Sequence, residues 1–124
     1  MDYNKSLQEK KEREEWISSL QVGDKVALEG YGLGRNRYWY ITKVVKITPS
    51  GRKNLENGLI IMPDGSIRGD NGNYAHPITE EIKVRIWRRK AIIKLNKEMR
   101  FDELSDNNLN RLLTILKESQ ENQN

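Results

Sequence analysis

The sequence of 124 residues contains no cysteine, one histidine (His76), one phenylalanine and three prolines. Without cysteine there are no disulfides, thiolate nucleophiles or cysteine metal sites. A lone histidine cannot build a multi-histidine metal centre. No run of about 18 apolar residues occurs, which excludes a membrane-spanning helix. Residues 1–15 are polar throughout, so a secretory signal is not expected there. These absences argue against most hydrolytic and redox enzymes, and no metal or cofactor is expected. The length suits a single domain, 1–124, with one modest core. Hydrophobic residues make up 35% and charged residues 32%. That balance means a thin core and much solvated surface.

The formal charge is +4, from 22 basic and 18 acidic residues, but it is unevenly spread. Residues 1–15 carry four bases against five acids, and 21–75 carry eight against five. Residues 83–100 carry eight bases (Lys83, Arg85, Arg88, Arg89, Lys90, Lys94, Lys97, Arg100) against Glu98 alone. From residue 101 onward five acids face two bases. So one-sided a segment implies either a solvated helix face or an anionic partner such as phosphate, nucleotide, nucleic acid or an acidic protein.

Hydropathy patterning predicts an α+β fold: a small antiparallel β-meander or partly open barrel, with an N-terminal helix and two C-terminal helices packed on it. Residues 3–20 read as a helix laced with i,i+4 charge pairs, with Leu7, Trp16, Ile17 and Leu20 as its apolar contacts. Residues 22–75 read as the sheet. Strands are expected at 25–29, 38–48, 53–56, 59–62 and 66–68, separated by Gly-rich, Pro-Ser-Gly, Asn-Gly and Pro-Asp-Gly turns. Residues 69–76 read as a polar loop. Thr79 is a plausible cap for a helix reaching Met99, with Glu80 and Glu81 where the helix dipole favours acids. Ser105 caps a last helix, 106–117, with Leu109, Leu112, Leu113 and Leu116 as its apolar stripe. Residues 118–124 are expected to be a flexible tail. The two helices offer more apolar stripe than one protomer covers, which points to a homodimer or higher homo-oligomer.

Four features bear on function. Gly30, Gly32 and Gly34 precede Arg35 and Arg37. A strand rather than a helix follows and the Walker lysine is missing, so this is a hairpin loop and not a nucleotide fingerprint. Arg35 could still reach an anion from it. Tyr38 and Tyr40 share one strand face and Trp39 takes the other; the pair is either core or a stacking platform for a base. The Asp70-Asn71-Gly72-Asn73-Tyr74 segment lacks the acid spacing of a calcium loop, yet Asn71 and Asn73 could bond a base edge or a ribose hydroxyl. Arg85, Arg88 and Arg89 stand at i, i+3 and i+4, and guanidinium groups bind phosphate bidentately and stack on bases. No catalytic constellation is evident, so a binding protein is favoured over an enzyme.

Several stretches together resemble small bacteriophage accessory proteins. They are Trp16 to Leu20 followed by Val22-Gly23-Asp24-Lys25-Val26, then Lys43-Val44-Val45-Lys46-Ile47-Thr48-Pro49-Ser50-Gly51-Arg52, Gly58-Leu59-Ile60-Ile61-Met62-Pro63-Asp64-Gly65, and Pro77-Ile78-Thr79-Glu80-Glu81-Ile82. Across 16–97 the closest resemblance is to the first-described family of anti-Thoeris proteins. It implies immune evasion in the host-cell cytoplasm: a dimer or larger oligomer sequesters, without cleaving it, a cyclic ADP-ribose signal made by TIR-domain defence enzymes. The family pocket implies an aromatic residue, an Asn and an Arg, which fall here on Met62, Asn73 and Arg89. Asn71 could replace Asn73, and Arg85 or Arg88 could replace Arg89. Met62 departs from the aromatic, though a thioether also packs on a ring. The Val-Gly-Asp-Lys-Val strand opening is shared with SH3-like barrels, and the second reading is an SH3-like or OB-like nucleic-acid-binding module.

Overall fold

The computed structural model describes residues 3–32 and 36–122. It divides into two compact units, Met1–Arg89 and Lys90–Asn124. The first begins with helix α1 (Tyr3–Ser19) and continues through strands β1 (Lys25–Tyr31), β2 (Arg37–Ile47), β3 (Lys53–Leu55), β4 (Ile60–Ile61), β5 (Ser66–Ile67) and β6 (Asp70–Tyr74). Helix α2 (Glu80–Glu98) runs across the boundary between the units. A 3-10 turn (Phe101–Glu103) and α3 (Asp106–Glu121) follow. The fold is α+β, as the patterning predicts.

The strands form one antiparallel sheet in sequence order, β1 to β6. Each turn is written locally. Asn57 Oδ1 accepts from Leu59 N at 3.1 Å, and Gly58 takes φ +90°, a conformation that side chains disfavour. At the next turn Asp64 Oδ1 accepts from Ser66 N and Oγ, at 2.9 and 2.6 Å. These bonds hold the Asp64 carboxyl below its ordinary value. The sheet then closes almost into a barrel. Ala27 and His76 exchange both backbone hydrogen bonds at 2.9 Å, which brings the end of β6 against β1.

Alternation decides what fills the interior. Val26 and Leu28 on β1 face inward with Thr42 and Tyr40 opposite them on β2. They meet Val44, Leu55, Ile61, Ile67 and Ala75. Ile17 and Leu20, at the end of α1, plug this cluster, and Trp16 packs against it. The rest of α1 is charged and mostly exposed, so only its last turn is held by the core.

Two boundaries differ from expectation. Residues 70–74 form β6 rather than a loop. Asn and Gly have low strand propensity, but here the ladder to β5 and the bridge at Ala27 supply the pairing that propensity does not. The expected tail from 118 is instead helical through Glu121, since nothing in Glu118-Ser119-Gln120-Glu121 breaks a helix already capped by Ser105. Residues 123 and 124 of that tail lie outside the described residues.

Two measurements check this core. Leu28 is fully buried, so Leu28→Ala is expected to lower unfolding free energy by about 3 kcal/mol in urea titration. At the barrel seam, His76 stacks edge-on to Trp39 at 5.2 Å. Burial pushes its imidazole below the ordinary 6.5, with Arg13 adding to the effect and Glu29 opposing it. The unfolded chain therefore binds the proton first as pH falls. The urea midpoint is expected to hold above pH 6.5, to drop as pH falls below it, and to lose that dependence in His76→Gln.

Candidate ligand-binding face

The opening of β2 presents two tyrosines on the inner face of the sheet. Tyr40 lies opposite Leu28 and packs against the core, while Tyr38 lies opposite Gly30, one step nearer the rim. Their rings stand 6.0 Å apart, inclined at 45°. Both are half-buried. The pair is thus neither wholly core nor a free platform; it grades from one to the other along the strand.

Gly30 makes this possible. A Cβ there would stand 2.6 Å from the Tyr38 ring, so the tyrosine lies across bare backbone. Gly32 comes within ordinary contact of the same ring. The Gly-rich segment is therefore a bed for an aromatic side chain. Part of it is strand, since β1 extends through Tyr31. Arg35 lies outside the described residues.

Above Tyr38 sits the Arg89 guanidinium, 4.2 Å from the ring centroid. This is cation–π distance, and it leaves the guanidinium edge to hydrogen-bond an anion. The phenol of Tyr40 is held by Asn57, whose Nδ2 donates to it at 3.2 Å. Burial raises the Tyr40 phenol above its ordinary value, the Asn57 bond works against that, and nearby Tyr38 and Asp70 add to the rise. Asn73 continues the chain of contacts: its Nδ2 donates to Asp70 Oδ2 at 3.0 Å and to the Glu29 carbonyl at 3.3 Å, tying β6 to β1. Arg89, Tyr38, Tyr40 and Asn57 thus form one run of contacts within the first unit, and Asp70 and Asn73 form a separate bonded pair on β6.

The other candidate residues are placed elsewhere. Arg85 is exposed and paired with Glu81 at 2.8 Å, as Lys83 is with Glu80 at 3.1 Å. Such surface pairs contribute little to stability but do occupy the cation. Arg88 is exposed on α2. Asn71 lies on β6, and its side chain is outside the described residues. Met62 opens the β4–β5 turn, its amide bonded to the Ser66 carbonyl, next to Gly65, where the Arg13 stem rests. Arg89 meets Tyr38, while Asn73 is bonded to Asp70 and the Glu29 carbonyl.

Two basic–aromatic contacts escaped the sequence reading. Arg13 lies 4.2 Å over Tyr74 and donates from Nε to the Asp64 carbonyl. Arg37 lies 5.5 Å over Tyr31 and pairs with Glu29 at 3.7 Å, on the outer face. Strand pairing would have suggested the second, because Tyr31 and Arg37 flank the β1–β2 turn. Nothing local announces the first, since 61 residues separate its partners.

Among the described residues no group of three His, Asp or Glu side chains could hold a metal ion, and no helix is long and apolar enough to cross a membrane. No family model, curated protein or solved structure matches the chain.

The Gly30 bed can be tested alone. Gly30→Ala is expected to displace the half-buried Tyr38 ring and unstack Arg89 at a cost of about 1–3 kcal/mol. The Arg89 side-chain proton resonances should lose their ring-current shift while the rest of the spectrum stays native-like.

Proposed function

We propose that this protein is a non-catalytic binder of single-stranded nucleic acid, with Tyr38, Tyr40 and Arg89 as its contact strip. The observation that carries the reading is the Arg89 guanidinium stacked on Tyr38, in line with Tyr40 on the rim of a small barrel. Tyr38 lies between the Gly30 backbone and Arg89, so a base stacks on the outer plane of the Arg89 guanidinium, whose edge takes a phosphate. Arg88, exposed beside Arg89 on the same helix, adds a second guanidinium for a polyanion. A strip of this kind needs no nucleophile and no metal.

A second reading has its own support. Asp70 and Asn73 place a carboxylate and an amide beside Tyr40, and such groups bond ribose hydroxyls. That fits a phage-encoded, immune-evading sponge for a cyclic ADP-ribose signal, acting in the host cytoplasm. Met62, which the resemblance assigns to the pocket, stands in the β4–β5 turn.

Both readings are separated by fluorescence anisotropy with labelled ten-nucleotide DNA and RNA strands, alongside calorimetry with cyclic ADP-ribose isomers. The first expects oligonucleotide binding whose affinity falls steeply between 50 and 200 mM salt. Tyr38→Ala and Arg89→Ala are each expected to weaken it roughly 10-fold or more, as loss of a stacking partner does. Arg85→Ala should matter less, because that cation is already paired. Heat with a cyclic ADP-ribose isomer and no anisotropy change would select the second reading. Silence in both assays at 100 μM ligand would reject both.

A further inference from the structure

Strand β2 has one covered edge and one open edge. In an antiparallel ladder the backbone groups of successive residues point alternately to the two sides of a strand. At one end of the β1–β2 pairing Val44 N donates to the Asp24 carbonyl at 2.9 Å, and the Val44 carbonyl accepts from Gly23 N at 2.8 Å. At the other end Gly32 N donates to the Asn36 carbonyl at 2.7 Å. The register between these ends is unbroken, so the even-numbered residues of β2 face β1. The N–H and C=O groups of Arg37, Trp39, Ile41 and Lys43 therefore face the opposite side. There β3 pairs only from Val44 onward, and Glu56 N closes on the Lys43 carbonyl at 2.9 Å. Among the described residues, the backbone groups of Arg37, Trp39 and Ile41 have no partner on that side. The matching edge of β1 is closed: His76 takes both backbone groups of Ala27, and Asn73 Nδ2 reaches the Glu29 carbonyl.

The chemistry of the open edge names its occupant. Donors and acceptors recur along it every second residue, and only another extended polypeptide offers the same repeat. A helix has already spent its backbone groups internally. The side chains beside the edge narrow the choice. Ile41 is 41% exposed and Trp39 is half-buried. Next along the strand, Lys43 stands directly opposite Lys25, both are exposed, and neither meets a carboxylate among the described residues. Like charges placed in this way repel, and an acid laid beside Lys43 relieves the repulsion.

We propose that the open edge of β2 is a docking site for an extended acidic segment of another protein. The segment adds antiparallel along residues 37–43, with a carboxylate beside Lys43 and a β-branched apolar residue beside Ile41. Main-chain bonds supply the affinity, and the lysine pair with Ile41 sets the register. The proposal goes beyond the ligand reading and does not depend on it.

The test uses the full chain, amide hydrogen exchange read by NMR, and the synthetic peptide Glu-Thr-Val-Thr-Val-Thr-Thr as probe. In the free chain the Tyr40 and Thr42 amides are expected to exchange slowly and those of Trp39 and Ile41 fast; equal protection would mean that the edge is closed and would overturn the proposal. With about 1 mM peptide the Trp39 and Ile41 amides should slow at least about 10-fold, and no slowing overturns it. Protection that rises with protein concentration in the absence of peptide would give the edge to a second copy of the chain and would also overturn it. The same peptide N-methylated at both valines lacks the pairing donors and should protect nothing; retained protection rejects strand addition. Lys43→Glu gives Lys25 a carboxylate opposite it, so the sheet should keep its native spectrum while peptide affinity falls about 5-fold. Unchanged affinity in that variant rejects the acidic occupant.

Discussion

Closure of the sheet is the constraint on which the first unit depends. Strands β3, β4 and β5 have three, two and two residues, too few to hold a sheet by their own ladders. They persist because the meander returns to its start: the Ala27–His76 bridge ties the end of the meander to the first strand, and the three short strands are held as a group between β2 and β6. Closure also converts alternation into an interior. Residues that would line one side of an open ribbon instead surround Ile17 and Leu20, so a chain with few apolar residues still completes a dry core.

The same closure assembles the binding strip. Asn73, bonded to Asp70, reaches the Glu29 carbonyl only because β6 has been carried round to β1. The tyrosines can lean along the rim only because the residue opposite Tyr38 is glycine. Arg89 then covers the ring from α2. Barrel integrity and the strip share residues, since Tyr40 is at once core packing and the inner end of the aromatic pair. Changes there will mix stability with binding, while Arg89, which lies outside the core, separates them.

Much of the architecture was legible because its causes are local. The Asn57-Gly58 and Asp64-Gly65 turns, the alternation of Tyr38-Trp39-Tyr40, and the Ser105 cap each follow from one or two residues, and each stands where the pattern places it. The strand at 70–74 was not legible, because its residues have weak strand propensity and the partners that make it a strand are distant in sequence. For the arginine cluster, helical spacing could group Arg85, Arg88 and Arg89 but could not tell which one meets an aromatic ring. That depends on where α2 passes the rim. Arg85 is taken by its own helix neighbour Glu81, and Arg89 by Tyr38.

The sequence by itself determined the element types, the meander of tight turns, the concentration of positive charge in 83–100, and the absence of thiol chemistry. These rest on composition and on contacts within a few residues. Tertiary structure alone decided that the meander closes, that Gly30 serves as a bed for Tyr38, and that Arg89 rather than Arg85 is presented with the tyrosines. The Gly30–Tyr38 contact spans eight positions across the β1–β2 pairing, whereas closure and the Arg89 contact join residues about 50 positions apart, and such pairings are set by how the sheet curves back on itself, which no local preference encodes.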